Sequence, residues 1–251
     1  MNGKEDGFSL LELSISLVVI GLLAAAGWSV LKPSIDLSEK IKVEKELSRA
    51  QEALESFALN NYRLPCPDTN QDGYEESCSS NSSKTGGLPY ATLGLDGRES
   101  LIKQWVYGVY RGSGNLDLTQ LVERTGNNAG DVGYKSLDDL LKALDSIAVL
   151  ATTNTQVYVT GDGARSGAES CSTNVVANAA FWIASPGLRS MDGDANLFDG
   201  LNQNLKVDGT GSLCFLSPDK IANANYDDQV QGVGVNTLKG KLISLGYALK
   251  N

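Results

Sequence analysis

The sequence predicts an α+β protein: a long N-terminal α-helical spine, one half membrane-spanning and one half amphipathic, packed on a globular domain with an antiparallel β-sheet. Three observations predict it. Phe8 to Leu31 is an apolar run whose one charge is Glu12. From Asp36 to Leu59 the apolar residues Leu37, Ile41, Leu47, Ala50, Leu54, Phe57 and Ala58 return at helical spacings with charges between them. Beyond residue 61, short aromatic and β-branched segments alternate with turn-forming tracts and two further helical patterns.

The apolar run is long enough to span a bilayer, since its residues at ~1.5 Å each give roughly 36 Å of helix against a hydrocarbon core of ~30 Å. Glu12 is the anomaly within it. A carboxylate at mid-bilayer costs on the order of 2.5 to 3.5 kcal/mol even on the lenient insertion scale, so it calls for a partner. The best partner is a positive charge made after translation: hydrolysis after Gly7 would place a new α-amino group on Phe8, one helical turn from Glu12.

Pro33 lacks an N–H and predicts a kink or local break between Val30 and Ser34. Asn60, Asn61 and the prolines of Leu64-Pro65-Cys66-Pro67 end the helix. A polar, serine-rich loop then runs to Gly86-Gly87, and Gln104 to Arg111 reads as a strand. Residues 112–135 are rich in glycine and asparagine and read as loop. Ser136 caps a helix from Leu137 to Leu150, with Asp138 and Asp139 favourable in its first turn. Gln156 to Thr160, Ala179 to Ala184 and Ser212 to Leu216 read as strands, and Thr237 to Leu245 as a helix capped by Asn236.

Gly7 followed by Phe8-Ser9-Leu10-Leu11-Glu12, with Gly21 inside the apolar run, resembles the class III signal of type IV pilins and type II secretion pseudopilins. The resemblance implies that residues 1–7 are a leader, 8–31 the transmembrane half of the helix, 32–60 its amphipathic half and 61–251 a periplasmic or extracellular domain. It implies cleavage after Gly7 by a prepilin peptidase, N-methylation of Phe8, and filament docking through Glu12. The implied partners are other pilin or pseudopilin subunits, the peptidase, an inner-membrane assembly platform and the membrane itself. The succession Arg63 to Asp68, Leu88 to Gly94, Tyr107 to Tyr110 and Tyr226-Asp227-Asp228 is similar to large members of that family, and the size of the chain fits a minor subunit. Two features depart from the pattern: Lys4 stands against Glu5 and Asp6 in a leader that is usually basic, and Ser29 occupies the place of the usual proline.

Ala24-Ala25-Ala26 resembles an ordinary secretory cleavage site, but such signals have a basic start and an uncharged apolar core. The lysines after the run, Lys32, Lys40, Lys42 and Lys45, outnumber Lys4 before it, which by charge bias alone favours a cytoplasmic C-terminal side. The family resemblance and the cysteines outweigh that bias, and Asp36, Glu39, Glu44 and Glu46 neutralise the stem.

The formal charge of −9 makes the chain a poor nucleic-acid binder. Histidine is absent, which removes Ser-His-Asp and Cys-His catalysis and the commonest zinc ligand. No enzymatic constellation is expected. Cys66, Cys78, Cys171 and Cys214 all lie beyond the membrane segment, and an even number in an exported domain predicts disulfides. Of the three connectivities, Cys66 with Cys78 and Cys171 with Cys214 is preferred, because each pair closes one loop-like segment.

Two stretches are candidate calcium sites, and calcium is the one cofactor the sequence raises. Asp68, Asn70, Asp72, Tyr74 and Glu76, with Gly73 in the sixth place, space oxygens as an EF-hand loop does, although Ser79 stands where that loop has a bidentate glutamate. The competing reading is an Asx-turn loop closed by Cys66 and Cys78. Asp192, Asp194 and Asn196 repeat the alternation, and Asp199 follows. They lie in a segment, Ser185-Pro186-Gly187 through Asp227-Asp228, which resembles the calcium loop of major pseudopilins. The alternative function is a membrane-anchored envelope protein with a calcium-dependent binding or hydrolase domain that never polymerises.

Overall fold

The computed structural model describes residues 10–79, 83–98, 101–125, 136–187, 190, 191, 193 and 195–248, giving the backbone alone for 23–39 and 247–248. Helix α1 spans Leu10–Asn61. It runs through Pro33 without interruption, so the expected local break is not present: one missing N–H removes one i→i−4 bond and leaves those on either side to carry the helix. The helix ends where expected. Tyr62 adopts φ 55° with its N–H on Ala58 O at 2.9 Å, and the Asn61 side chain donates to Phe57 O at 3.0 Å, which satisfies carbonyls left open by the last turn.

The chain divides into two compact units, residues 1–45 and 46–251. The second contains an antiparallel sheet of order β1-β2-β5-β7, formed by β1 (Thr85–Gly87), β2 (Val106–Val109), β5 (Phe181–Ser185) and β7 (Gln229–Val233). Side chains alternate across a strand, so Tyr107, Phe181, Ile183, Gln231 and Val233 share one face. That face meets α1. Leu47, Ala50, Leu54 and Ala58 are buried along one helix stripe, Gln231 donates to Gln51, and the Tyr107 hydroxyl reaches Pro65 O at 3.2 Å.

The opposite face carries Val106, Trp182, Ala184 and Val230, which pack with Val157, Val159, Phe198, Leu205 and Phe215. This second core lies under a smaller sheet, β4-β3-β6, made by β3 (Tyr158–Val159), β4 (Ala177–Asn178) and β6 (Cys214–Phe215). Its β3/β6 pair is parallel, a pairing the sequence reading did not include. Gly108 allows the close approach, since a Cβ there would sit 2.9 Å from the Phe215 ring. The expected strands are present but shorter than read, because each keeps only the residues that find a partner across the ladder. The structure pairs Cys66 with Cys78 and Cys171 with Cys214.

Helix α2 (Leu137–Ala148) starts at Ser136, whose hydroxyl accepts from Asp138 N at 3.2 Å. It packs on α3 (Val235–Ala248). Asn236 is not the cap of α3 as expected: the helix begins one residue earlier, and Leu238 N bonds to Gly234 O at 2.9 Å. Lys241 anchors α3 to α1 through Glu55, with Nζ to Oε1 at 2.6 Å, and Gln51 donates to the same oxygen at 2.8 Å.

Candidate functional site

Gly7 and Phe8 lie outside the described residues. The described start of α1 exposes Leu10, Leu11, Leu13, Ile15, Leu17, Val18, Val19, Ile20 and Leu22, residues that fall on every side of the helix. Its hydroxyls turn inward instead of seeking water: Ser14 Oγ donates to Leu11 O and Ser16 Oγ to Glu12 O, both at 2.8 Å. Glu12 therefore stands in the first turn of α1 among exposed apolar side chains. Among the described residues no helix is long and apolar enough to cross a membrane; the side chains of 23–39 are not among them.

In the loop closed by Cys66 and Cys78, the buried Asp68 accepts from Gln71 N through Oδ1 and from Gly73 N through Oδ2, both at 2.7 Å. Asn70 Oδ1 accepts from Asp72 N at 3.0 Å, and Asp72 Oδ1 from Tyr74 N at 2.8 Å. The loop folds as successive Asx turns, with left-handed backbone at Gln71 and Gly73. Glu75 faces away from it, clamped by both terminal nitrogens of Arg63 at 2.6 and 2.7 Å and by Cys66 N at 3.2 Å. Tyr74 is exposed, and no third acidic group joins Asp68 and Asp72 among the described residues.

Asp192 and Asp194 lie outside the described residues. Asn196 spends its side chain on local structure, donating to Gln203 O at 3.0 Å and accepting from Phe198 N at 3.1 Å. A different set of acids comes together beside it. Asp199, Asp227 and Asp228 each offer an oxygen within 4.8 Å of the others, the one such set of three among the described residues. Asp199 closes the loop after β5 and precedes a 3₁₀ turn at Gly200–Asn204, while Asp227 and Asp228 lead into β7. Asp228 Oδ2 accepts from Asp199 N and Asn202 Nδ2, both at 3.0 Å, and Oδ1 from Gly187 N at 3.2 Å. Asp199 accepts from Met191 N at 2.9 Å and from Asp227 N at 3.1 Å. Asn202 completes the frame: its Oδ1 takes Leu216 N at 2.9 Å, and its amide reaches the Tyr226 hydroxyl at 3.3 Å.

Burial pushes the Asp228 carboxyl up to about 7, offset in part by those hydrogen bonds and reinforced by Asp199. Burial likewise raises the Tyr226 phenol well above its usual range, with Asp228 adding to the shift. The site thus concentrates negative charge in a dry place that a proton or a hard cation relieves. Asn202 has no signal in the sequence, and Asp199 shows there only as an acid that follows Asp192, Asp194 and Asn196. Asp199 is remote in the chain from Asp227, so local D-x-D-x-N spacing pointed to Asp192, Asp194 and Asn196 instead.

Residues 2–28 match the model of the prokaryotic N-terminal methylation motif. The chain thus carries a class III prepilin signal, consistent with the type IV pilin and pseudopilin family. No curated protein and no solved structure matches the chain.

Proposed function

We propose that the protein is a minor pilin or pseudopilin: a structural subunit, cut after Gly7 by prepilin peptidase, N-methylated on Phe8 and assembled through its N-terminal helix into a type IV pilus or type II secretion-like filament. Before assembly it sits in the bacterial inner membrane through residues 8–31, with the globular domain on the periplasmic side. The observation that carries this reading is the methylation motif at residues 2–28, which includes Gly7, Phe8 and Glu12. The two disulfides agree with an oxidising compartment for the domain. Mass spectrometry of the N-terminus tests it. A chain that starts at Phe8 with one added methyl group supports the reading; a chain that retains Met1 overturns it. Gly7→Val should block the cut, and normal processing of that variant would also count against it.

We further propose calcium as a ligand of the domain. Asp199, Asp227 and Asp228 supply the hard oxygen donors that calcium takes, and the absence of a side chain on Gly187 leaves room for the Asp227 carboxylate. The bound ion would neutralise the cluster and tie the loop after β5 to the start of β7. Thermal unfolding of the purified chain, with and without calcium, tests it: a calcium-dependent rise in Tm that is lost in Asp199→Asn is expected, and no response in the unsubstituted chain would refute it.

A further inference from the structure

The two edges of the main sheet are treated differently. Along β1 the outer edge is closed by the chain itself, with Asp68 N on Gly87 O at 3.0 Å and Gly87 N on Asp68 O at 2.6 Å. At the other edge stands β7, and among the described residues no strand other than β5 pairs with it.

Hydrogen bonding alternates along an antiparallel strand, so the free groups of β7 can be identified. Tyr110 N bonds to Ala180 O at 2.9 Å, which assigns Ala180, Trp182 and Ala184 to β2. Phe181, Ile183 and Ser185 therefore bond to β7, where their partners are Val233, Gln231 and Gln229. A bulge at the strand entrance, where Ala180 N also reaches Val233 O at 2.9 Å, agrees with this phase. The N–H and C=O of Val230 and Gly232 consequently point away from the sheet. Gln229–Val233 contains no charge and no proline, the usual devices that keep an open edge from pairing.

We propose that this edge is a self-association surface on which two copies of the chain join β7 to β7, antiparallel, about a two-fold axis through Gln231. The two outward residues flank Gln231 symmetrically. The axis sets Val230 opposite the partner's Gly232, and each such pair exchanges two N–H···O=C bonds, satisfying all four outward groups of each strand. Side chains agree with that register. Val230 meets a residue without a Cβ, and Gln231 meets an uncharged copy of itself. Asp227 and Asp228 fall opposite the partner's Val235 and Gly234, so no acid faces an acid. An unrelated strand would gain the main-chain bonds but not this match, which is why a second copy is the occupant. The pairing extends four strands to eight and does not depend on the filament reading.

The test uses the full-length chain in membranes, with its four native cysteines already in disulfides. Gln231 forms a non-hydrogen-bonded pair with its own copy, where Cα atoms are ~4.5 Å apart and within disulfide reach. Under mild oxidation Gln231→Cys should give a disulfide-linked homodimer at least ten-fold more abundant than Ile221→Cys, a control that places the thiol on another exposed loop. Adding Val230→Pro, which deletes an outward N–H, should abolish most of the dimer. Resistance to protease equal to that of Gln231→Cys alone shows that this second variant is folded. Equal cross-linking of the Ile221→Cys control, no dimer from Gln231→Cys, a product containing a different protein, or undiminished dimer in the folded proline variant would each overturn the proposal.

Discussion

Gly187 lies directly against the Asp227 carboxylate: a Cβ built on Gly187 would overlap its oxygens, while Gly187 N holds Asp228 Oδ1 at 3.2 Å. One glycine thereby packs two acids of the cluster, one by having no side chain and the other by its amide.

Gly187→Ala should therefore act on the acid cluster first and on the fold second. The added methyl group has to displace Asp227, and overpacking of this kind costs about 1 to 3 kcal/mol. Thermal unfolding should show a loss on the order of 5 °C for a chain of this size. Any calcium-dependent gain in Tm should vanish with it. A variant that unfolds and responds to calcium as the original does would show that the carboxylate is not held where the structure puts it.

Asp228 sets the sign of a pH effect. Its folded value of about 7 stands above the ordinary carboxylate range, so between roughly pH 4 and 7 the folded domain keeps a proton that the unfolded chain releases. The stability this contributes is fully present below the unfolded value and lost as pH rises through 7. Asp139, held low by the N–H groups of Arg124 and Thr125 and the Thr125 hydroxyl despite its burial, works in the opposite direction, but only as pH falls below about 4. In chelator, Tm should decline from pH 5 to pH 8, and Asp228→Asn should flatten that decline. A Tm that rises over this range in the original chain would contradict the burial argument.

Arg111 and Asp117 form an ion pair that is almost wholly buried, with Nη2 to Oδ2 at 2.9 Å and Nε to the same oxygen at 3.1 Å. The guanidinium also holds Ser79 O at 2.6 Å and Ser83 O at 3.3 Å, fastening the segment before β1. Removing one member strands the other, so Asp117→Ala should destabilise the domain by ~3 to 5 kcal/mol. Arg111→Met combined with Asp117→Leu should recover part of that loss. Denaturant midpoints decide the matter, and an Asp117→Ala variant within 1 kcal/mol of the original would mean that water compensates the stranded guanidinium.

Elements that declare themselves by local pattern were legible in the sequence. The stripe Leu47, Ala50, Leu54 and Ala58, the Ser136 cap and the aromatic strand around Tyr107 each follow from neighbouring residues. Features made by distant approach were not. β1 is Thr85-Gly86-Gly87, with almost no strand propensity, because its glycines are there for clearance: a Cβ on Gly86 would sit 2.9 Å from Asp68 O, and one on Gly87 3.1 Å from it. The family resemblance marks Asp227 and Asp228 as the far end of a calcium loop, but their convergence with Asp199 does not show in the sequence for the same reason, since the three meet only through the loop after β5. The parallel β3/β6 pair joins segments remote in the chain, and no short-range rule announces it.

Glu12 supports a prediction that separates insertion from assembly. If the acid were merely tolerated, Glu12→Val would improve residence in the membrane, by up to ~2.5 to 3.5 kcal/mol at bilayer centre and less near a helix end. If it pairs with the α-ammonium of Phe8 in a neighbouring subunit, the variant buries that ammonium in an apolar filament core without its partner. Breaking a buried pair from one side costs ~3 to 5 kcal/mol, equivalent to a loss of more than a hundred-fold in assembly equilibrium. Glu12→Val should then be cut after Gly7, remain in the membrane fraction and be nearly absent from sheared filaments. Both fractions have to be measured in the same cells, because failed cleavage would mimic failed assembly. Glu12→Asp, which keeps the charge on a side chain one methylene shorter, should restore part of the filament fraction if charge is what matters. Filament levels of Glu12→Val equal to those of the original chain would dispose of the pairing, even if the N-terminus proved to be methylated.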